Sequence, residues 1–298
     1  MAAEAVSERL RPDTTSGRRR FTWAWVATVP FFAYTVAFLF LPAGAILVGA
    51  FEGKTSGWTL SNVRLLFHHP YIDAYKTSIE ISLVTALVGG VAGLFIAYAA
   101  LRDGTPGWVR SVFTTFSGVA ANFGGIPLAF AFIATAGPLG IVTVFLRNHG
   151  FDPSAHGFNL FSKTGVELAY LYFQLPLMIL VISPAIDGLR REWREAAANL
   201  GAKQWQFWWH VGLPVLMPSI LGATILLFGN AFAAYATAYS LTSGTVNIVP
   251  ILIGAYYSGN VLDNPHLAQA MAFGMFVVLA VMMVLYVPLQ RRAARWAK

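Results

Sequence analysis

The sequence predicts an all-α integral membrane protein with six transmembrane helices and both termini in the cytoplasm. Three observations carry this prediction. Hydrophobic residues make up 57% of the 298 positions and charged ones only 11%, with a mean hydropathy of +0.61; a soluble domain carries about 25% charged residues. The apolar residues gather in charge-free stretches long enough to cross a bilayer, roughly 20 residues each. The remaining Lys and Arg concentrate in alternate connecting segments, as the positive-inside rule requires.

Taken in order, residues 1–21 are polar and basic, with Arg9, Arg11, Arg18, Arg19 and Arg20, and read as a disordered cytoplasmic tail. The stretch that follows, Thr22 to Phe51, is too long for a signal-peptide core and no small-residue cleavage site closes it. It holds the first span, with breaks expected at Pro30 and Pro42. The second span is Ile81–Leu101, the third runs from near Ser111 to about Thr135, and the fourth is Leu168–Ile186. The fifth starts near Val215 and ends about Ser240, and the sixth is Leu267–Gln290. Gly137-Pro138 and Thr242-Ser243-Gly244 interrupt the two charge-free regions that exceed one span. Residues 291–298 form a short basic cytoplasmic tail.

Asn247–Asn260 is apolar enough to compete as a seventh span, and the basic residues decide against it. With six spans, fifteen of the twenty Lys and Arg lie inside: the five of the N-terminal tail, Arg102, Arg110, Arg190, Arg191, Arg194, Lys203, Arg291, Arg292, Arg295 and Lys298. Lys54, Arg64, Lys76, Arg147 and Lys163 lie outside. A seventh span would move the basic C-terminus outward. Asn247–Asn260 is therefore an outer loop with a short helix, or a re-entrant piece buried in protein. The net charge of +7 follows this topology and is no nucleic-acid footprint.

Several chemistries are excluded. The chain has no Cys, so disulfides and thiol chemistry are absent. No phosphate-binding Gly-x4-Gly-Lys-Ser/Thr loop occurs. The six His are scattered without metal-site spacing, and no Ser, His and Asp cluster as a triad. No catalytic residue, metal site or cofactor is expected. Small residues recur inside the spans, among them Gly89, Gly90, Gly93, Gly118, Gly124, Gly125, Gly222 and Gly229, and read as close helix-packing faces.

One polar stretch stands between two apolar ones. Leu168–Ile186 and Val211–Leu262 carry no charge, while Asp187, Arg190, Arg191, Glu192, Arg194, Glu195 and Lys203 lie between them. Ionised side chains cost several kcal/mol each in hydrocarbon, so residues 187–214 sit outside it. Leu189, Trp193, Ala196, Ala197 and Leu200 form a stripe of helical period, and Gly201 marks a helix end. Trp205, Trp208, Trp209 and Gly212 place three Trp on one side of a second short helix, suited to a membrane interface. Pro214 and Pro218 punctuate the start of the next span.

Glu195-Ala196-Ala197, three residues, Gly201, nine residues, Val211, one residue, Leu213-Pro214 resembles the "EAA" signature of permease subunits of binding-protein-dependent ABC importers. The family pattern prefers Ile where this chain has Val211. The resemblance implies the six-helix MetI-like permease fold, spanning 22–290, in a bacterial inner membrane. It implies that 187–214 is a coupling loop docking into a cytoplasmic ABC ATPase dimer, with Glu195 pairing to a basic residue there and Ala196, Ala197 and Gly201 shaping the contact. A surface-lying helix whose charges only set topology is the bland alternative from composition. A second permease subunit, identical or homologous, and an extracytoplasmic substrate-binding protein complete the implied assembly; ATP hydrolysis falls to the separate ATPase. Asn199-Leu200-Gly201-Ala202 and the run at 230–237 look more like the branch for polyamines, aminoethylphosphonate, thiamine and iron. The sugar branch usually has Asp where this chain has Leu200.

Polar groups within the spans are the candidates for a translocation pathway. Asn230, Tyr235 and Thr237 share the small-residue run of the fifth span and are the first choice. Asn122 and Gln174 are deep amides that either bond another helix or meet solute. Glu80 and Glu167 sit at outer span ends and either line a path or face water. A secondary transporter or channel working without ATP would call for intramembrane carboxylates or an internal repeat; neither is evident. A scaffold protein without transport has no use for a Glu-Ala-Ala helix ending in Gly.

Overall fold

The computed structural model describes residues 24–53, 57–101, 105–258 and 264–296. The predicted tail at 1–21 lies outside them, as do Lys54, Arg102 and Lys298. The chain divides after Ala45 into two units. Six helical stretches are long and apolar enough to cross a membrane: Thr28–Gly49, Tyr71–Leu101, Gly125–Asn148, Lys163–Asp187, Gln204–Ala233 and His266–Pro288.

Helix α1 runs through Ala24–Thr35, a wide π turn at Val36–Phe40, and Leu41–Gly49. The breaks expected at Pro30 and Pro42 do not occur. Pro30 lies inside the helix, and the Leu41 N–H reaches back five residues to the Val36 carbonyl just before Pro42. The same device recurs in α9, which comprises Gln204–Phe207, a π turn at Trp208–Gly212 and Leu213–Ala233. There the Leu213 N–H donates to the Trp208 carbonyl just before Pro214. A proline ring collides with the carbonyl four residues back in a regular α-helix, and the wider turn moves that carbonyl aside. The separate Trp-bearing helix expected from the sequence is thus the first part of α9.

A short α2 (Ser61–Leu65) precedes α3 (Tyr71–Leu101), and α7 is Lys163–Asp187. These two long helices cross closely because α3 presents Gly89 and Gly93, one turn apart. A Cβ on Gly89 would stand 2.8 Å from the Gln174 Cβ, and one on Gly93 2.6 Å from the Met178 Cβ. Small residues at this spacing let backbones approach in lipid, where packing rather than hydrophobic burial drives association. Helix α9 packs on α3 and α7, and α12 (Pro265–Trp296) packs on α9. Their core includes Ala86, Ala97, Met178, Ile182, Leu227, Phe228 and Met271. The last helix continues to Trp296, carrying the backbone of Arg291, Arg292 and Arg295 as helix.

The third apolar stretch is not one helix. It splits into α4 (Gly107–Asn122) and α5 (Gly125–Ala136), and α6 (Ile141–Asn148) follows the Gly137-Pro138 interruption. The fifth stretch likewise breaks at Ala234-Tyr235 before α10 (Ala236–Thr242). Helix α4 packs along α7, whereas α5 packs on α10. A second core joins α5 and α10 to α3, α7 and the end of α9 through Ile81, Leu128, Phe173, Ala231 and Leu241. The segment at 247–260 contains the expected short helix, α11 (Val249–Tyr257), packed on α12 and α3. The Ser78 hydroxyl accepts its first N–H, from Val249, at 2.9 Å.

Candidate functional site

The polar stretch after α7 folds as α8 (Arg191–Asn199), a tight turn, and the start of α9. Gly201 ends α8 with a positive φ of 77°. The Gly201 N–H donates to the Ala198 carbonyl at 2.9 Å and the Ala202 N–H to the Ala197 carbonyl at 3.0 Å. These paired bonds satisfy carbonyls that the helix end leaves open, and the left-handed residue between them favours glycine. The Gln206 side chain then accepts the Lys203 N–H at 2.7 Å, capping α9.

Helix α8 is presented rather than buried. Glu195 and Ala196 are exposed and Ala197 is half-buried. The Glu195 carboxylate accepts from Arg191 Nε at 2.9 Å, an exposed pair within one helix worth about 0.3–0.5 kcal/mol. The apolar stripe is only partly spent on the chain itself. Leu189 packs against the core, but Leu200 is 88% exposed. Arg194 lies over the Phe207 ring at 5.7 Å. The three Trp do not share one fate. Trp208 packs edge-on to Tyr98 at 4.6 Å and its ring abuts Gly212, whereas Trp205 and Trp209 stay exposed. The result is a solvent-exposed helix with small residues, an accessible carboxylate and an apolar knob.

A second constellation lies where the two helix breaks face each other. A cavity of ≈ 230 Å³ is lined by Asn122, Gly125, Phe173, Asn230, Tyr235 and Thr237, among others, none of them charged. Four of the seven sequence-nominated pathway residues therefore converge. The Gly125 N–H, at a φ of 72°, donates to Thr237 Oγ1 at 2.8 Å across the breaks. Tyr170 donates its hydroxyl to the Ala234 carbonyl at 2.7 Å, capping the end of α9. Asn122 donates to the Gly118 carbonyl at 2.9 Å. Sequence reasoning missed Gly125 and Tyr170; the Gly124-Gly125 doublet inside an apolar stretch was the signal for the break.

The other three nominees do not join the cavity. Gln174 is fully buried and donates to the Leu227 carbonyl on α9 at 2.9 Å, with its Oε1 unpartnered. It is an interhelical bond at the α3–α7–α9 crossing. Replacing it by Leu removes one bond and one unsatisfied oxygen together, so Gln174→Leu should shift stability by no more than about 1 kcal/mol. Transport should be unchanged; thermal melting and uptake rate check both. Glu80 pairs with Lys163, tying α3 to the first residue of α7. Glu167, in the first turns of α7, is also absent from the cavity lining. Among the described residues no group of three or more His, Asp or Glu gathers to hold a metal ion.

The comparisons agree with this architecture. Residues 19–295 match the family described as "Binding-protein-dependent transport system inner membrane component". The chain is 28% identical over 251 residues to a probable sulfate transport system permease protein cysT of Nephroselmis olivacea, covering 82% of this chain and 81% of that protein. It is 27% identical over 290 residues to the sulfate transport system permease protein CysT of Synechococcus elongatus, covering 95% of each. Among solved structures it resembles a chain of a bacterial ABC transporter involved in the import of the acidic polysaccharide alginate, with a TM-score of 0.71 at 19% identity over 90% of this chain and 95% of that one. It also resembles the MetNI methionine ABC transporter, with a TM-score of 0.51 at 15% identity over 76% of this chain and 99% of that one. The relatives named here are sulfate permeases, so they lend no support to the polyamine branch read from Leu200 and the 230–237 run. With six apolar helices and a family match along nearly its whole length, the chain is a multi-pass membrane protein and belongs to the inner-membrane components of binding-protein-dependent transport systems, the permease subunits of ABC importers.

Proposed function

We propose that this chain forms part of the pathway of a sulfate importer and couples it to a separate cytoplasmic ABC ATPase dimer through α8. A second permease subunit completes the pathway, and an extracytoplasmic binding protein delivers the anion. The observation that carries the substrate is the similarity to sulfate permeases along 95% of both chains. The cavity chemistry supports it. A polycation would call for carboxylates, and none lines the cavity. Asn122, Asn230, Tyr235 and Thr237 offer neutral amide and hydroxyl donors to an oxyanion. Neutral donors hold a dianion less tightly than Lys or Arg would, which suits a path that must also release it. Glu195, Ala196, Ala197 and Gly201 form the coupling surface.

The test is uptake of radiolabelled sulfate by cells that lack their own sulfate importer and carry this chain with its ATPase, partner permease and binding protein. Excess unlabelled sulfate should abolish uptake, and spermidine, thiamine, aminoethylphosphonate and ferric ion should not compete. Competition by spermidine but not by sulfate would overturn the substrate assignment. Undiminished uptake with the ATPase's nucleotide-site lysine replaced would favour a channel or secondary transporter instead.

A further inference from the structure

Helices α7 and α9 join the coupling loop to the cavity along the chain; α4 runs beside them, tied at its start to the root of the loop and ending at the cavity. At its start, the Arg110 guanidinium bonds the Asp187 carboxylate, an ion pair between residues 77 apart in sequence. Asp187 is the last residue of α7, where the coupling loop begins. The pair lines a cleft of ≈ 290 Å³ together with Arg194 of α8 and Trp208 of α9. At its other end, α4 stops at Asn122, which lines the cavity between the helix breaks. Its 16 residues span about 24 Å.

The surroundings of α4 fit a transmitting rod. Its buried residues, Ser117 and Ala120, lie on one side. On the other, Ser111, Thr115 and Val119 are exposed, and a Cβ on Gly118 would meet nothing within 4 Å. The α3–α7 crossing is by contrast locked by Gly89 and Gly93. Beyond the Phe123-Gly124 break, α5 belongs with α10, and the Gly125–Thr237 bond ties both breaks together. A shift of α4 along α7 therefore reaches the cavity at Asn122, next to the Gly125–Thr237 bond, past the small residues Ser117 and Ala120.

We infer that Arg110 and Asp187 are positioning residues for coupling: their ion pair fastens α4 to the root of the coupling loop, so that displacement of that loop is delivered along α4 to the cavity at the two helix breaks. This rests on the ATPase-coupled reading above. The side chains are 42% and 48% exposed, so the pair adds little to the stability of the fold, and its loss is read in coupling rather than in folding.

The chain has no Cys, so a single Ala236→Cys substitution puts one thiol at the cavity for a membrane-impermeant maleimide. The complete transporter, reconstituted with its ATPase, partner permease and binding protein, is labelled without nucleotide and after trapping with ATP and vanadate. The labelling rate should change at least tenfold between the two states. Adding Asp187→Asn or Arg110→Gln should reduce that change to less than twofold, while the ATPase still co-purifies and the melting temperature stays near that of the parent. The swap Arg110→Asp with Asp187→Arg should recover more than half of the response, and the conservative Asp187→Glu should keep it. A full response in the single variants, or no recovery in both the swap and Asp187→Glu, overturns the inference. No nucleotide response in the Ala236→Cys parent instead overturns the ATPase-coupled reading itself. Because the readout is labelling, it does not depend on which solute is carried.

Discussion

Glu195→Lys is expected to leave the protein folded and in the membrane while separating it from its ATPase. The carboxylate is exposed and pairs with Arg191 one turn away in its own helix, an exposed pair worth no more than about 0.5 kcal/mol to the fold. Docking loses far more. A hydrogen bond to a charged group contributes about 1.5–3 kcal/mol, and reversing the sign sets like charges against each other, at a cost of several kcal/mol more. At about 1.4 kcal/mol per factor of ten, association should weaken at least tenfold, with uptake falling in step. Glu195→Gln should fall between the two. Co-purification of the ATPase with the membrane-extracted permease measures the effect. Wild-type recovery of ATPase with Glu195→Lys would remove Glu195 from the coupling surface.

Gly93→Leu should act in the opposite way, destroying the fold without touching either site. Its Cβ would fall 2.6 Å from the Met178 Cβ and 3.0 Å from the Leu175 carbonyl oxygen. Backbone and a buried side chain must then move apart along the α3–α7 crossing. Overpacking a core costs about 1–3 kcal/mol for small additions, against a total stability of about 5–15 kcal/mol. Gly93→Ala should therefore lower the melting temperature measurably, and Gly93→Leu should fail to accumulate as folded protein. Gly118→Leu is the control, because a Cβ there meets nothing within 4 Å. Fluorescence-detected size exclusion and melting read all three variants. A Gly93→Leu protein melting with the parent would mean that this crossing is not tight.

The two effects separate the two kinds of information in the chain. Glu195, Gly201 and the Leu213-Pro214 run could be read without coordinates, because a charged, capped helix between two apolar spans is a local pattern. Gly93 could be nominated as a packing residue, but its partners could not be named. Only the structure sets Gly93 against Met178.

The prolines were misread for a related reason. Pro30 and Pro42 are local breakers by propensity, yet α1 passes through both, and Pro214 sits inside a continuous α9. The propensity rule describes a regular α-helix, and a π turn before Leu41-Pro42 and Leu213-Pro214 evades it. The third span failed differently. Ser111–Thr135 is free of charge throughout, so beyond the Gly124-Gly125 doublet nothing marks the break at Phe123-Gly124, and nothing local reveals that α4 and α5 pack on different partners.

Composition and hydropathy thus determined that the chain crosses a membrane and how many times, and the placement of charge predicts which side is inward. Those properties follow from transfer free energies of single residues and short windows. Tertiary structure alone decided that Asn122, Asn230, Tyr235 and Thr237 share a cavity while Gln174 and Glu80 do not, and that Arg110 reaches Asp187. The reason is distance along the chain: Gly125 meets Thr237 across 112 residues, and helical periodicity correlates residues only over a few turns.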